Sequence, residues 1–464
     1  MTDPLVAMQI GSVSFVDEGV DQVLDVLQEK GAVNALYLAN FTYTRGTGGR
    51  QIPGHPLPDH GAQQYDYDWV GGNYGPGRDV FYGKTLVRPQ DARAPEHPDF
   101  SLMDEVTPRA QQRGMKLYCW MEESSYGPQA KLIPNFFHCL ELDAWGRRSA
   151  RPCFNNPDYR NWHFAMVEDV TKAYPVDGVA WCSERNGPLQ SVLMAWGGGA
   201  NLTCFCEHCR AVGRENGIDV NRARMGMQEI GALASSVERP TDGWFVAFWR
   251  LLLKYPEILA WENLWHEGQN QLFREMYGIV KAVKREVQFG WHIMHLNSFS
   301  PFYRATQDIR EFSKYADFIK LVAYNNCAGP RFVRYMESLH RLFFADSSPD
   351  RTYHLMYDIL GIDEAPLDQI ATKGWSAEYV KRETVRALAA VKEAGATTAI
   401  HPGIDIDIPT EENEKQTEPA DVYGAVTAAF EAGAQGVVLS RKYSEMKLAN
   451  LAAAGDAVRA WGKG

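Results

Sequence analysis

The sequence has little of what disulfide scaffolds, membrane anchors and nucleic-acid binders require. Only 8 cysteines occur in 464 residues, too few for a disulfide framework. No apolar run approaches the ~20 residues that cross a bilayer. The opening Met1-Thr-Asp-Pro-Leu-Val-Ala-Met8 has neither the basic nor the apolar segment of a secretion signal. A cytoplasmic protein with no membrane partner is therefore expected. Lys and Arg number 47 against 58 Asp and Glu, a formal charge of −11. That balance argues against a nucleic-acid partner, because phosphate binding needs concentrated positive surface. No glycine-rich phosphate fingerprint follows the first apolar run, and there is no internal repeat or low-complexity tract.

Aromatic residues, in contrast, are plentiful: 13 Trp, 21 Tyr and 21 Phe. They can fill a large core, and they can also present flat faces on which sugar rings stack. Short β-rich runs alternate with amphipathic stretches throughout. The strand candidates are Met8–Phe15, Asn34–Leu38, Met115–Trp120, Asp177–Cys182, Gln288–Ile293, Asp317–Tyr324, Thr397–His401 and Gly436–Ser440. Helical segments such as Gly19–Lys30, Pro157–Tyr174, Gln269–Val287, Ala377–Ala394 and Pro419–Ala432 separate most of them. Strand alternating with helix implies a parallel sheet. Eight such units in one chain of this length predict a single (β/α)8 TIM barrel over residues 1–464. Tyr353–Tyr357 is a ninth candidate with both strand and helix periodicity; Ser348, Pro349 and Gly361 favour the helix.

Two long loops follow strands two and four, at residues 41–98 and 186–267. Both are expected on the C-terminal face of the barrel, where this fold carries its active sites. The first offers Tyr65, Tyr67, Trp69 and Tyr74 as possible sugar platforms, and the second holds the sharpest motif of the chain.

That motif is Cys204-Phe-Cys206-Glu-His-Cys209, with Cys153 standing alone upstream. A C-x-C-x-x-C cluster brings three thiolates within reach of one ion, and a fourth from elsewhere completes the tetrahedral shell zinc prefers. Such a closed shell leaves no open position, so the zinc is expected to be structural. Cys119, Cys139, Cys182 and Cys327 read as ordinary buried residues. Upstream of the cluster, Asp177-Gly-Val-Ala-Trp-Cys-Ser-Glu184 is a strand-like run ending in a carboxylate.

The order Cys153-Phe-Asn-Asn-Pro-Asp-Tyr-Arg160, Asp177–Glu184 and Cys204-x-Cys206-x-x-Cys209 resembles the family 42 β-galactosidases, clan A glycoside hydrolases, over residues 150–212. The resemblance implies a zinc site at Cys153, Cys204, Cys206 and Cys209, with Glu184 as general acid/base. Two departures stand out. Ser183 occupies the position where the clan has an asparagine that binds the sugar. At the end of strand seven, where the clan has a nucleophilic glutamate, the chain reads His401-Pro-Gly-Ile-Asp405-Ile-Asp407. Asp405 and Asp407 are therefore the candidate second carboxylates, on the same scaffold but in a distant or separate family.

Other strand ends add polar groups in the same layer: Trp120 with Glu122 and Glu123, His292, His295 and Asn297, Lys320, Tyr324 and Asn325, and Arg441 with Tyr443. Trp120, Glu123, His292, His295, Asn297, Tyr324, Asn325 and Arg441 are taken as substrate-binding candidates. The reading is a glycosidase with a structural zinc, acting on a small glycoside or oligosaccharide by a two-carboxylate mechanism. Its partner is a small-molecule carbohydrate, and a homo-oligomer is left open. The competing readings are a barrel sugar lyase or isomerase using His292 or His295 as base, and a carbohydrate-binding barrel without chemistry.

Overall fold

Eight apolar runs become eight strands: β1 (Leu5–Gly11), β2 (Ala35–Ala39), β3 (Lys116–Glu122), β4 (Gly178–Cys182), β5 (Gln288–Ile293), β6 (Phe318–Val322), β7 (Ala399–Asp405) and β8 (Gly436–Ser440). The computed structural model describes residues 4–42, 55–88, 93–123, 132–194 and 201–462. All neighbouring strands pair in parallel and β8 closes onto β1, giving a closed (β/α)8 barrel. No helix among the described residues is long and apolar enough to cross a membrane.

Two strands differ from the sequence expectation by more than two residues at an end. β1 begins earlier and stops at Gly11, and Ser12–Glu18 is helical. The four residues Ser12–Phe15 are all buried, so their polar–apolar alternation does not mark a half-exposed strand. β7 continues to Asp405 through Pro402 and Gly403, two residues that usually interrupt a strand. The ambiguous Tyr353–Tyr357 lies inside a helix, Pro349–Leu360. Its Ser348 cap accepts from the Arg351 N–H at 3.3 Å, and Gly361 ends it at φ 64°.

The inner face of the barrel has two storeys. Tyr37, Tyr118 and Phe318 form an aromatic floor, with ring centroids 4.8 to 5.9 Å apart. Small residues make room for these rings. A Cβ on Gly178 would come within 2.5 Å of the Tyr118 ring, and one on Gly290 within 2.2 Å of Phe318. Above the floor, toward the C-terminal strand ends, the inward positions turn polar. This change of storey, set by strand parity, is what creates the site.

The insertion between β3 and β4 contains an antiparallel pair, Leu140–Leu142 with Arg148–Pro152, and the helix Pro157–Ala173. Asn156 caps that helix by accepting from the Asp158 and Tyr159 N–H groups at 2.9 and 3.2 Å, with Pro157 in its first turn. After β4 come helices Pro188–Met194, Glu207–Glu215, Val220–Ser235, Trp244–Lys254 and Glu257–Val283. In the loop 41–98, residues 43–54 and 89–92 lie outside the described residues. Trp69 and Tyr74 are buried, so their rings are core rather than platform, and Tyr67 is exposed.

Candidate active site and thiolate cluster

Alternation along β4 decides which side chains reach the mouth. Ala180 and Cys182 point into the barrel, and Glu184 follows on the same face. Ser183 and Arg185 therefore point outward, into the helical layer. Ser183 Oγ donates to Glu123 and accepts from Gln269 Nε2, so the position that departs from the clan pattern does not face the mouth.

Glu184 is the focus of the mouth. Its side chain is 49% exposed although it lies deep among protein atoms. His292, beside it on β5, donates from Nε2 to Glu184 Oε1 at 2.8 Å. Burial alone would raise the Glu184 carboxyl. The His292 hydrogen bond and the charges of Arg331 and Lys320 outweigh it and hold the group at about 2. The carboxylate is thus held ionised in the free protein, which suits the base half of the acid/base role that the resemblance implies and not the acid half. Burial pushes His292 below the usual histidine range, leaving a neutral ring whose Nδ1 is buried without a partner among the described residues.

Lys320 occupies the centre of the barrel. Its ammonium donates to Gln9 Oε1 at 2.6 Å and to the Tyr324 hydroxyl at 3.1 Å, and it sits 4.6 Å above the Trp120 ring. Burial pushes the group down to about 7. Glu122, the last residue of β3, shares the inward parity of Trp120 and pairs with the Lys442 ammonium at 2.9 Å. His295 borders this group. Its Nδ1 accepts from Arg331 Nη1 at 3.1 Å, and its Nε2 meets the Tyr379 hydroxyl at 3.1 Å.

Trp120, Glu184, His292, His295 and Tyr324 therefore gather in the barrel mouth, and other candidates lie elsewhere. Glu123 belongs behind the strands, where it accepts from Tyr159 and pairs with Arg185 at 2.8 Å; one residue of parity separates it from Glu122. Asn297 is bound between Gln307 O and Arg386. Asn325 is turned toward Trp375. Arg441 pairs with Glu445, with Nε 3.0 Å from Oε2, yet it borders the mouth, where its charge reaches Glu122 and Tyr324.

The two aspartates part company. Asp405 is fully buried, and its oxygens accept from the Cys327 N–H at 2.8 Å and the Ile408 N–H at 3.1 Å. Burial raises it to about 6 against the pull of those two N–H groups and Arg331. Asp407, at φ 53°, turns its carboxylate to the Lys447 N–H (2.7 Å) and Asn450 Nδ2 (2.8 Å). It fastens the start of the helix Leu448–Trp461, away from Glu184 and His292.

Gln9, Arg331 and Lys442 were not among the sequence candidates. Gln9 had a usable signal, a polar residue at the inward parity of Leu5 and Ala7. Arg331 and Lys442 had none, since a helix residue and a loop residue carry no strand parity.

The four cysteines converge as expected. The sulfurs of Cys153, Cys204, Cys206 and Cys209 all lie within 4.8 Å of one another and all four residues are buried. Cys153 Sγ is 3.4 Å from Cys209 Sγ and 3.5 Å from Cys206 Sγ. A Zn–S bond of about 2.3 Å in a tetrahedron sets sulfurs about 3.8 Å apart, so the cage has the right size. Backbone N–H groups of Asn155 and Cys206 point at Cys153 and Cys204 sulfurs at 3.3 and 3.5 Å, as suits metal-bound thiolates. Cys206 precedes the helix Glu207–Glu215 and Cys209 sits in its first turn, which is how three near neighbours in sequence face one point.

No protein-family model and no curated protein matches this sequence. Solved structures share its fold. The glycoside hydrolase domain of PgaB (BpsB) from Bordetella bronchiseptica is 14% identical, with a TM-score of 0.52, and 98% of this chain covers 97% of that one. The β-galactosidase of the Antarctic haloarchaeon Halorubrum lacusprofundi is 12% identical, with a TM-score of 0.53, covering 99% of this chain and 58% of that one. At such identities the likeness is one of fold, and this chain spans little more than half of the β-galactosidase.

Proposed function

We propose that the protein is a glycoside hydrolase that cleaves a small glycoside or oligosaccharide at the barrel mouth, with Glu184 as one reacting carboxylate. The observation that carries this reading is Glu184 itself: an ionised, half-exposed carboxylate at the end of β4, ringed by buried His292, Lys320 and Trp120. The shared fold with the PgaB glycoside hydrolase domain and a β-galactosidase supports it.

Glycoside hydrolysis needs a proton at the leaving oxygen and a carboxylate on the other face of the sugar. Glu184, held ionised, suits the second task as nucleophile or base. Asp405, three strands round the barrel on β7 and raised to about 6, is the carboxyl whose surroundings favour the protonated form. Environments that push two carboxyls apart in this way divide acid from base. For Asp405 to donate, substrate has to draw it from the Cys327 and Ile408 N–H groups. Glu122, less enclosed and bound only to Lys442 among the described residues, is the other candidate acid. The thiolate cluster would hold a structural zinc, which supplies rigidity to the segments behind β4 and takes no part in bond cleavage.

The test is release of reducing sugar from a panel of aryl glycosides and oligosaccharides by wild-type protein, Glu184→Gln, Asp405→Asn and Glu122→Gln. Loss of turnover in a folded Glu184→Gln protein supports the reading. Turnover unchanged in that variant overturns it. A second reading rests on the His292–Glu184 pair, in which a carboxylate orients a neutral imidazole as in a general-base dyad. A sugar isomerase or lyase would then use His292 as base. Proton exchange between sugar and solvent without bond hydrolysis would single it out.

A further inference from the structure

Cys182 has no part in the chemistry above, yet it lies beside its two central residues. Cys182 and His292 are register partners on β4 and β5, and Glu184 stands two residues beyond Cys182 on the same inward face. One donor atom from each, a thiol sulfur, an imidazole nitrogen and a carboxylate oxygen, lies within 4.8 Å of the other two. We propose that Cys182, His292 and Glu184 form a second divalent-metal site, of the zinc class, whose occupancy withdraws Glu184 from the reaction. The binding half stands on this geometry alone, and the inhibitory half rests on the assignment of Glu184 as a reacting carboxylate.

A mixed sulfur, nitrogen and oxygen donor set is the borderline-soft combination that zinc accepts. Tetrahedral zinc places such donors about 3.4–3.6 Å apart. The Glu184–His292 contact of 2.8 Å therefore has only to open by less than about 1 Å. Three protein donors leave one position, and the exposed side of Glu184 directs it into the mouth, where water or a substrate hydroxyl can occupy it. That is the arrangement of an exchangeable site, in contrast to the closed four-thiolate cage. The nearby charges grade its strength. Glu122 and Lys442 neutralise each other at 2.9 Å, while Lys320 and Arg331, whose charges act on Glu184, oppose an incoming cation. The site is consequently weaker than the thiolate cluster. Binding involves no redox change: the Cys182 thiol releases its proton to solvent, the His292 Nε2 proton is given up while Nδ1, which has no partner among the described residues, takes one, and the thiolate, the freed Nε2 and the Glu184 carboxylate take the ion. The ion replaces the His292–Glu184 hydrogen bond with two metal bonds and removes a free carboxylate from the mouth.

The experiment uses the full chain with the thiolate cluster loaded with zinc and the weaker ion removed by brief EDTA treatment. Zn2+ or Co2+ is then added back, and uptake is read by elemental analysis and by the sulfur-to-cobalt charge-transfer band. Wild-type protein should take up about one further ion per chain, with a cobalt–thiolate band. Cys182→Ser should lose the band and bind the added ion at least about tenfold more weakly, as should His292→Ala. Thermal melts establish that both variants are folded. On a glycoside substrate, zinc should slow wild-type protein by about tenfold or more and leave Cys182→Ser within about twofold of its own zinc-free rate. Absence of further uptake by wild-type protein, or equal uptake and band in wild type and both variants, overturns the site. Uptake through Cys182 with unchanged turnover overturns the role of Glu184 in the reaction and the inhibition with it, while the ion site stands.

Discussion

Arg185 and Glu123 form a buried ion pair, 2.8 Å apart, directly behind the strand end that carries Glu184. The same guanidinium lies 2.9 Å from Glu141 and 4.2 Å over the Phe154 ring. Glu141 in turn accepts from Thr203 and Trp265. Phe154 adjoins Cys153 and Thr203 adjoins Cys204, so one buried arginine joins the exit of β4 to both arms of the thiolate cage. The cluster and the mouth are thus braced against each other through a charge network, not through shared ligands.

Removing the arginine charge leaves two buried carboxylates unpaired. Arg185→Met should destabilise the protein by about 3–5 kcal/mol. Arg185→Lys should recover little, because a single ammonium cannot span both partners as a planar fork does. Urea unfolding of the three proteins checks this, and a Lys variant as stable as wild type would contradict it.

Metal content tests the cage. Protein purified without added metal, and washed with EDTA to clear the weaker site, should hold about one zinc per chain. Cys206→Ser should lower zinc content and melting temperature together, since metal binding and folding are linked. A metal-free protein that melts where the metal-loaded one does would remove zinc from the account.

Asp405 gives stability a pH dependence with a defined sign. Its carboxyl is raised to about 6 in the folded chain from the ordinary 3.8, so between those values the folded state keeps a proton that the unfolded chain has lost. Stability therefore falls as pH rises from about 4 to about 6 and levels off above that, a change of about 3 kcal/mol. Asp405→Asn should abolish this slope. Denaturant unfolding of both proteins from pH 4 to pH 7 measures it.

Glu184 behaves in the opposite sense. Its carboxyl is held at about 2, so the acid limb of kcat/KM due to Glu184 should lie far below neutral pH. His292→Ala removes the largest of the contributions that together outweigh burial and should move that limb upward, toward or above the ordinary carboxyl range. Glu184→Gln should cut turnover by about 10²–10⁴-fold, similarly for good and poor leaving groups, if the carboxylate is nucleophile or base. A loss confined to poor leaving groups would return it to the role of acid. Initial rates on aryl glycosides of graded leaving-group acidity across pH decide between them.

The barrel itself was legible in the sequence because its strands are continuous apolar runs buried on both faces, and Gln288–Ile293 and Gly436–Ser440 were read to the residue. The thiolate cage was legible because three of its ligands fall within one turn and a half of chain. Glu123 stands among the sequence candidates in place of Glu122, although the inward-facing Trp120 makes Glu122 the neighbour that shares its parity at the end of β3. Asp407 was beyond such reasoning: its left-handed backbone and its bond to Asn450 depend on the packing of the last helix. Arg331 enters the mouth from a helix, with no periodic signal to mark it.

The aromatic floor of Tyr37, Tyr118 and Phe318 has a consequence for traffic. None of the three exposes more than 2% of its surface, so the described floor offers no way through the barrel. On the proposed hydrolase reading, nothing that enters beside Glu184 can leave through that floor, and product has to clear the strand ends before the next substrate enters.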